Sequence, residues 1–268
     1  MKLSISNIGW SSEQDKEVYQ LMKSNDFSGL EIAPTRIFSE FPYDRKEDAI
    51  AWSKSLFSNY GLSVSSMQSI WYGRQEKIFG TKEERKLLLN YTKRAIDFAA
   101  AIGCRNLVFG CPKNRIILQG LPKDWIKEIS ISFFKELGDY AHNNGTVVAM
   151  EANPPIYNTN FINDTISALE LIEQVDSKGF LLNLDIGTMI ENGEKIDILT
   201  GQIAKINHVH ISEPGLTVIR ERQMHKDLIS LLKKEGYNKF ISFEMGRQES
   251  TASIKNLIKY GRSLVNLK

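Results

Sequence analysis

The amino-acid sequence predicts an α/β fold, a single-domain (β/α)8 TIM barrel over residues 1–268, and three observations carry that expectation. The first is a recurring phrase: a helical pattern ends in glycine, and a short apolar run follows. SNYGLSVSSMQ, AAIGCRNLVFG, HNNGTVVAME, DSKGFLLNLD and KKEGYNKFISFE obey it, and NDFSGLEIA has the same form. Glycine just past a helix accepts the left-handed backbone that closes the last turn. The buried strand of a parallel sheet then reads as a near-continuous apolar run. The second observation is length, since eight strand–helix units of roughly 30–35 residues add up to the usual barrel size of ~250 residues. The third is that no glycine-rich dinucleotide fingerprint occurs, which places a doubly wound open sheet second.

Strands are expected near residues 3–8, 29–33, 62–68, 105–110, 146–151, 180–185, 206–211 and 240–244. KLSISNI and KINHVHI supply the first and seventh without a preceding glycine. Helix starts are marked as well. Ser11 with Gln14 opens one helix, and Thr81 with Glu84 forms a capping box before RKLLLNYTKRAIDFAAAIG. No linker or low-complexity break interrupts the chain.

Composition narrows the function classes. Apolar residues make up 42% and charged residues 25%, ordinary for a globular protein. A formal charge of +2 offers no electrostatic reason to expect a nucleic-acid surface. No apolar run approaches the ~18 residues of a membrane span, and MKLSISNIGW lacks the apolar core of a signal peptide. Cys104 and Cys111 flank RNLVFG, which at ~3.3 Å per residue separates them beyond disulfide range. Two unpaired cysteines fit a reducing cytoplasm, the expected location.

In such barrels function sits at the C-terminal ends of the strands. Those ends are Trp10, Glu31, Gln68, the run GCPKNR (110–115), Glu151, Asp185, His210 and Glu244. TVVAME, FLLNLD and FISFE each deliver a carboxylate directly after an apolar run. Three carboxylates and an imidazole converging on one mouth repel unless a cation sits among them. A divalent metal held by Glu151, Asp185, His210 and Glu244 is therefore expected. Hard oxygen donors plus one nitrogen suit Mn²⁺ first, then Mg²⁺, with Co²⁺ or Zn²⁺ as alternatives. No organic cofactor is implied.

The strand-end motifs EANPPIYNTNF, LNLDIGTM, HVHISEP and SFEM resemble the xylose isomerase-like TIM-barrel superfamily. It comprises sugar and sugar phosphate isomerases and epimerases, hydroxypyruvate isomerase, inosose dehydratase and AP endonucleases related to endonuclease IV. The resemblance spans the chain and assigns the metal to the second histidine of HVH, His210; strand geometry agrees, leaving His208 one layer deeper. It implies Glu151 and Glu244 as the acid/base pair, with Asp185 and His210 as ligands alone. A carboxylate on each side of a bound sugar can remove a proton next to a carbonyl and return one, through an enediolate.

Departures from the ketose 3-epimerases argue against a free ketohexose as substrate. Tyr157 replaces their second glutamate, Thr188 a histidine and Leu216 an arginine, whereas Glu213 keeps the family's phrase. Lys113, Asn114 and Arg115 after strand 4 suit a phosphate or carboxylate. Gln68, Tyr157, Glu213, Arg247, Glu31 and Trp10 complete the expected substrate contacts, with His225 a weaker candidate. SIWYGRQEKIFG, containing Trp71 and Tyr72, suits a lid or an inter-subunit flap in a homo-oligomer. The expected partner is a small sugar or sugar phosphate, with neither nucleic acid nor membrane. An inosose dehydratase-like lyase is the alternative. An AP endonuclease ranks below it, because that branch needs a richer histidine set than His142, His208, His210 and His225.

Overall fold

Alternation sorts each strand's residues between two environments, as in β1, Lys2–Ser6, where Leu3 and Ile5 alternate with Ser4 and Ser6. In the computed structural model, which describes residues 1–266, seven further strands follow: β2 Gly29–Ile32, β3 Ser63–Met67, β4 Leu107–Phe109, β5 Val148–Met150, β6 Phe180–Asp185, β7 Ile206–Ile211 and β8 Phe240–Phe243. All pair in parallel in chain order, and β8 returns to β1 with Leu3 opposite Ile241 and Ile5 opposite Phe243. The barrel is closed, as expected.

Eight principal helices cover it: α1 Asp15–Lys23, α3 Lys46–Tyr60, α4 Lys82–Ala101, α5 Lys123–Asn143, α6 Thr165–Val175, α7 Ile186–Asn192, α8 Gln223–Lys234 and α9 Thr251–Val265. A single extra turn, α2 Pro34–Ile37, follows β2. The capping box before α4 forms, with Glu84 N–H on Thr81 Oγ1 at 3.1 Å and Thr81 N–H on Glu84 Oε2 at 2.7 Å. Ser11 N–H reaches Gln14 Oε1 at 3.0 Å, but this opens a 3₁₀ turn that leads into α1. None of the described helices is long and apolar enough to cross a membrane.

Several strands are shorter than expected. Strand β1 leaves the sheet at Ser6 for a 3₁₀ turn, Asn7–Gly9, and Glu151 and Glu244 lie one residue past β5 and β8. Their amides still continue the ladder, to Phe109 O at 3.1 Å and Ile211 O at 3.0 Å. Both carboxylates therefore start from fixed backbone.

The repeated glycine has two physical causes. Gly61, Gly103, Gly145 and Gly236 have φ between 69° and 77° and close helices as expected. Gly179 does not; the left-handed turn there belongs to Asp176, φ 46°. A Cβ on Gly179 would stand 2.0 Å from Gly138 O and 2.6 Å from His142 N, so its absence lets α5 lie directly on the start of β6.

Hydrogen bonds between strands that are not neighbours run through the barrel interior. Ser4 and Ser65 share one at 2.6 Å, Gln68 donates to Ser6 at 2.6 Å, and Glu31 on β2 meets His210 on β7 at 2.8 Å. The interior is thus largely polar. The apolar core lies between sheet and helices, where Phe134 of α5 packs on Phe109 of β4 and Phe180 of β6 at ring distances of 4.9 and 4.8 Å. Gly179→Ala is expected to force these layers apart and destabilise by about 1–3 kcal/mol, measured as a lowered midpoint of urea unfolding with m unchanged.

Candidate metal centre at the barrel mouth

His210 is the residue around which the site is built. On β7 it stands opposite Asp185 of β6 and Ser242 of β8, and it is fully buried. Its Nε2 lies 2.8 Å from Glu31 Oε2; an ionised carboxylate only accepts, so Nε2 carries the proton. Its Nδ1 faces the mouth, 3.0 Å from Glu151 Oε1 and 3.2 Å from Glu244 Oε2. Burial alone would push this imidazole's pKa down, but the charges of Glu31 and Glu244 and the bond to Glu151 outweigh it and hold the pKa well above the usual value.

The surrounding carboxylates respond to the same field. Burial pushes Glu244 up to about 7, against the pull of His210 and with help from Glu151 and Glu31. Asp185 is also raised, first by burial and then by Glu151. Glu31 goes the other way: burial opposes its charge, but His210 and His208 hold it below the usual carboxylate range. Among the described residues, neither Glu151, Asp185 nor Glu244 forms an ion pair with a lysine or arginine.

Two groups of potential metal donors share His210. Glu31, His208 and His210 form a buried lower one; Glu151, His210 and Glu244 form an upper one, each with its donor atoms within 4.8 Å of one another. In the lower group the donors already satisfy each other, since Glu31 sits between two imidazoles and His208 Nε2 bonds Ser242 Oγ at 2.8 Å. The upper group has carboxylate charge to spare and side chains that reach solvent, so its chemistry fits a divalent cation. Asp185 stands apart from that trio: it caps α7, accepting from Gly187 and Thr188 N–H at 3.2 and 3.0 Å and from the hydroxyls of Thr188 and Ser212.

Sequence reasoning missed three residues that hold Glu151. Asn183 donates to its Oε1 at 2.8 Å and Asn153 to its Oε2 at 3.1 Å. Gly110 leaves the space, for a Cβ there would stand 2.8 Å from Oε2. Asn183 was recoverable, because it lies two residues before Asp185 and alternation turns both to one face.

Several expected substrate contacts are buried or already bonded in this structure. Arg115 is fully buried, donating to Glu151 O at 2.9 Å and Asn153 Oδ1 at 2.8 Å. Asn114 is spent on the carbonyls of Arg74 and Glu76. Glu213 is buried against Arg222, whose Nε lies at 2.7 Å, and against Arg220 N–H. Trp10 is 2% exposed and donates to Asp15 at 2.8 Å, with Arg36 over its ring. Glu31 lies beneath the site, and Gln68 bonds to Glu31 and Ser6, so neither is free for a sugar. Trp71 is core, bonded to Thr92 at 2.8 Å, and Tyr72 is exposed. His225 is buried in the first turn of α8, bonded to Tyr260 of α9 at 2.9 Å.

Three expected contacts stay accessible. Lys113 and Arg247 are exposed on the loops after β4 and β8, and Tyr157 is half-buried. Tyr157 Oη accepts Gly215 N–H at 3.0 Å, and burial, with Asp185, Glu151 and Glu244, pushes the phenol up to about 12. The hydroxyl is thus a neutral donor near the carboxylates.

The profile of the xylose isomerase-like TIM barrel matches residues 19–264. The chain belongs to that family. Members of the same fold include the 3-keto-D-glucoside 4-epimerase of E. coli, 20% identical with a TM-score of 0.79 over 98% of this chain and 99% of that one. D-psicose 3-epimerase, crystallised with D-fructose, is 14% identical with a TM-score of 0.78 over the whole of both chains. The IolI protein with its zinc atom is 20% identical with a TM-score of 0.73, over 99% of this chain and 98% of that one. No curated protein matches the sequence of this xylose isomerase-like barrel.

Two outcomes are expected from residues moved out of the substrate set. Arg115→Met strips the donors from Glu151 O and Asn153 Oδ1 and should cost about 1–3 kcal/mol per acceptor left bare, read by urea unfolding. Burial pushes His225 from 6.5 down to about 4. The unfolded chain takes up that proton first as pH falls, so stability drops between those values by up to about 1.4 kcal/mol per pH unit. His225→Gln should shrink the difference in unfolding free energy between about pH 4.5 and 7.

Proposed function

We propose that this chain is a divalent-metal-dependent sugar or sugar phosphate isomerase or epimerase. The observation that carries the reading is the placing of Glu151 and Glu244 against one imidazole nitrogen, His210 Nδ1, with no basic side chain committed to either carboxylate. Support comes from the family and from neighbours that act on sugars: a 3-keto-D-glucoside 4-epimerase and a D-psicose 3-epimerase. The zinc atom of the IolI protein supports a metal here.

Glu151, His210 and Glu244 would hold the metal, with Asp185 completing the set in exchange for a hydroxyl bond it accepts now. Bound there, a divalent cation, Mn²⁺ foremost, would supply a Lewis acid for neighbouring carbonyl and hydroxyl oxygens. Glu31 fixes the ring of His210 by accepting its Nε2 proton and so turns Nδ1 toward the ligand position. Asn183 and Asn153 hold the two oxygens of Glu151 in place.

Glu151 and Glu244 then act as the acid/base pair on the substrate. One takes the carbon-bound proton beside the carbonyl and the other returns one to the neighbouring carbon or the opposite face. The proton count closes, and no organic cofactor is required. Tyr157, Lys113 and Arg247 are the residues left to recognise hydroxyls or a phosphate. A nuclease is disfavoured by the histidines, since His142 lines the cavity at the opposite end of the barrel and His225 is tied to Tyr260.

Incubation with Mn²⁺ in D₂O against free and phosphorylated sugars should place deuterium at one carbon of the true substrate. Glu151→Gln and Glu244→Gln should each cut that exchange by at least about 10²-fold. Near wild-type turnover by either, with metal bound, would remove it from the acid/base pair, and a β-elimination product without exchange would identify a lyase. Glu31→Gln should weaken Mn²⁺ affinity by about 10–100-fold in calorimetry.

A further inference from the structure

A cavity of about 900 Å³ opens at the opposite end of the barrel from the metal centre, among the starts of β1, β3, β7 and β8 and the turns before β4 and β5. Its volume falls in the range of small-molecule sites, about 300–1,000 Å³. Lys2, Arg105 and Lys239 line it, and none of the described residues lining it is acidic. Three cations around a concavity with no carboxylate focus positive potential into it.

Two observations point to a missing anion. Lys239 is half-buried, and its Nζ bonds only neutral acceptors, Ile206 O at 3.1 Å and Asn207 Oδ1 at 3.0 Å. An ammonium has three donors, so one remains for a ligand, and burial without a counter-charge lowers its pKa. Thr146 is 3% exposed, and its hydroxyl has no hydrogen-bond partner although it lines the same cavity. A buried hydroxyl without a partner is costly, and an acceptor oxygen seated there would satisfy it.

We propose that this cavity is a second ligand site that binds a phosphate group, either free phosphate or the monoester of a small metabolite. A phosphate monoester carries about −1.5 to −2 charge and three strong acceptor oxygens, which matches three cations and a hydroxyl donor better than a single carboxylate does. The cavity and the candidate metal centre lie at opposite ends of the barrel. His208, which forms the cavity's inner wall, separates it from Glu31.

Calorimetry at low ionic strength with ribose 5-phosphate, inorganic phosphate and ribose tests the site in the whole protein. Both phosphates should bind and ribose should not; tighter binding of ribose 5-phosphate identifies an ester site, and equal binding a free-phosphate site. The exposed pair Lys2→Gln/Arg105→Gln should weaken binding at least about fivefold, and Lys239→Gln more. Thr146→Val should weaken it less, and Glu244→Gln at the far end should leave it unchanged. Should Lys239→Gln fail to fold, the exposed pair alone decides. No heat with either phosphate, affinity unchanged in the Lys2/Arg105 variant, or loss of binding through Glu244→Gln alone would overturn the proposal.

Discussion

Glu31 has no solvent exposure, and it is kept ionised by His210, His208 and the Gln68 amide. A bare carboxylate at that depth would cost several kcal/mol, so the barrel interior must supply donors, two from β7 and one from the end of β3. That requirement explains why so many inward positions are serine, asparagine, glutamine or histidine instead of valine or isoleucine. It also decides the orientation of the imidazole. With Nε2 tied below, Nδ1 has only the mouth to face, and the strand register then selects Glu151 and Glu244 as its neighbours.

The loops above this centre are built mainly from polar side chains turned inward. Arg115 braces β5, Asn114 joins the loop after β4 to the one after β3, and Glu213 gathers the segment that ends at Arg222. These groups make a rigid rim at the expense of recognition. What remains for a substrate is a short set of exposed or half-exposed groups, so specificity can change through few residues while the carboxylate–imidazole arrangement stays as it is.

Much of the fold was legible because apolar runs of strand length, each followed by a chemically distinct residue, leave little freedom of assignment. Glu151, His210 and Glu244 could be picked out for the same reason. Asp185 was found but only half understood, since its type and position do not reveal that α7 begins there and draws on its oxygens. The charged residues after strand 4 misled for a related reason. A sequence shows that Arg115 is a cation but not that Asn153 and the carbonyl of Glu151 wait behind it. Glycine was ambiguous too: Gly61 serves a left-handed turn, and Gly179, in the same phrase, serves the close approach of a helix.

His208 has a consequence of its own. His208 lines the lower cavity, and its Nε2 stands 3.4 Å from Glu31 Oε2. One residue therefore borders both the cationic basin and the buried acid that orients His210. Between the basin and the carboxylates of the mouth stand His208, Glu31 and His210 in succession. The barrel is polarised end to end, with cations at the starts of its strands and carboxylates at their ends.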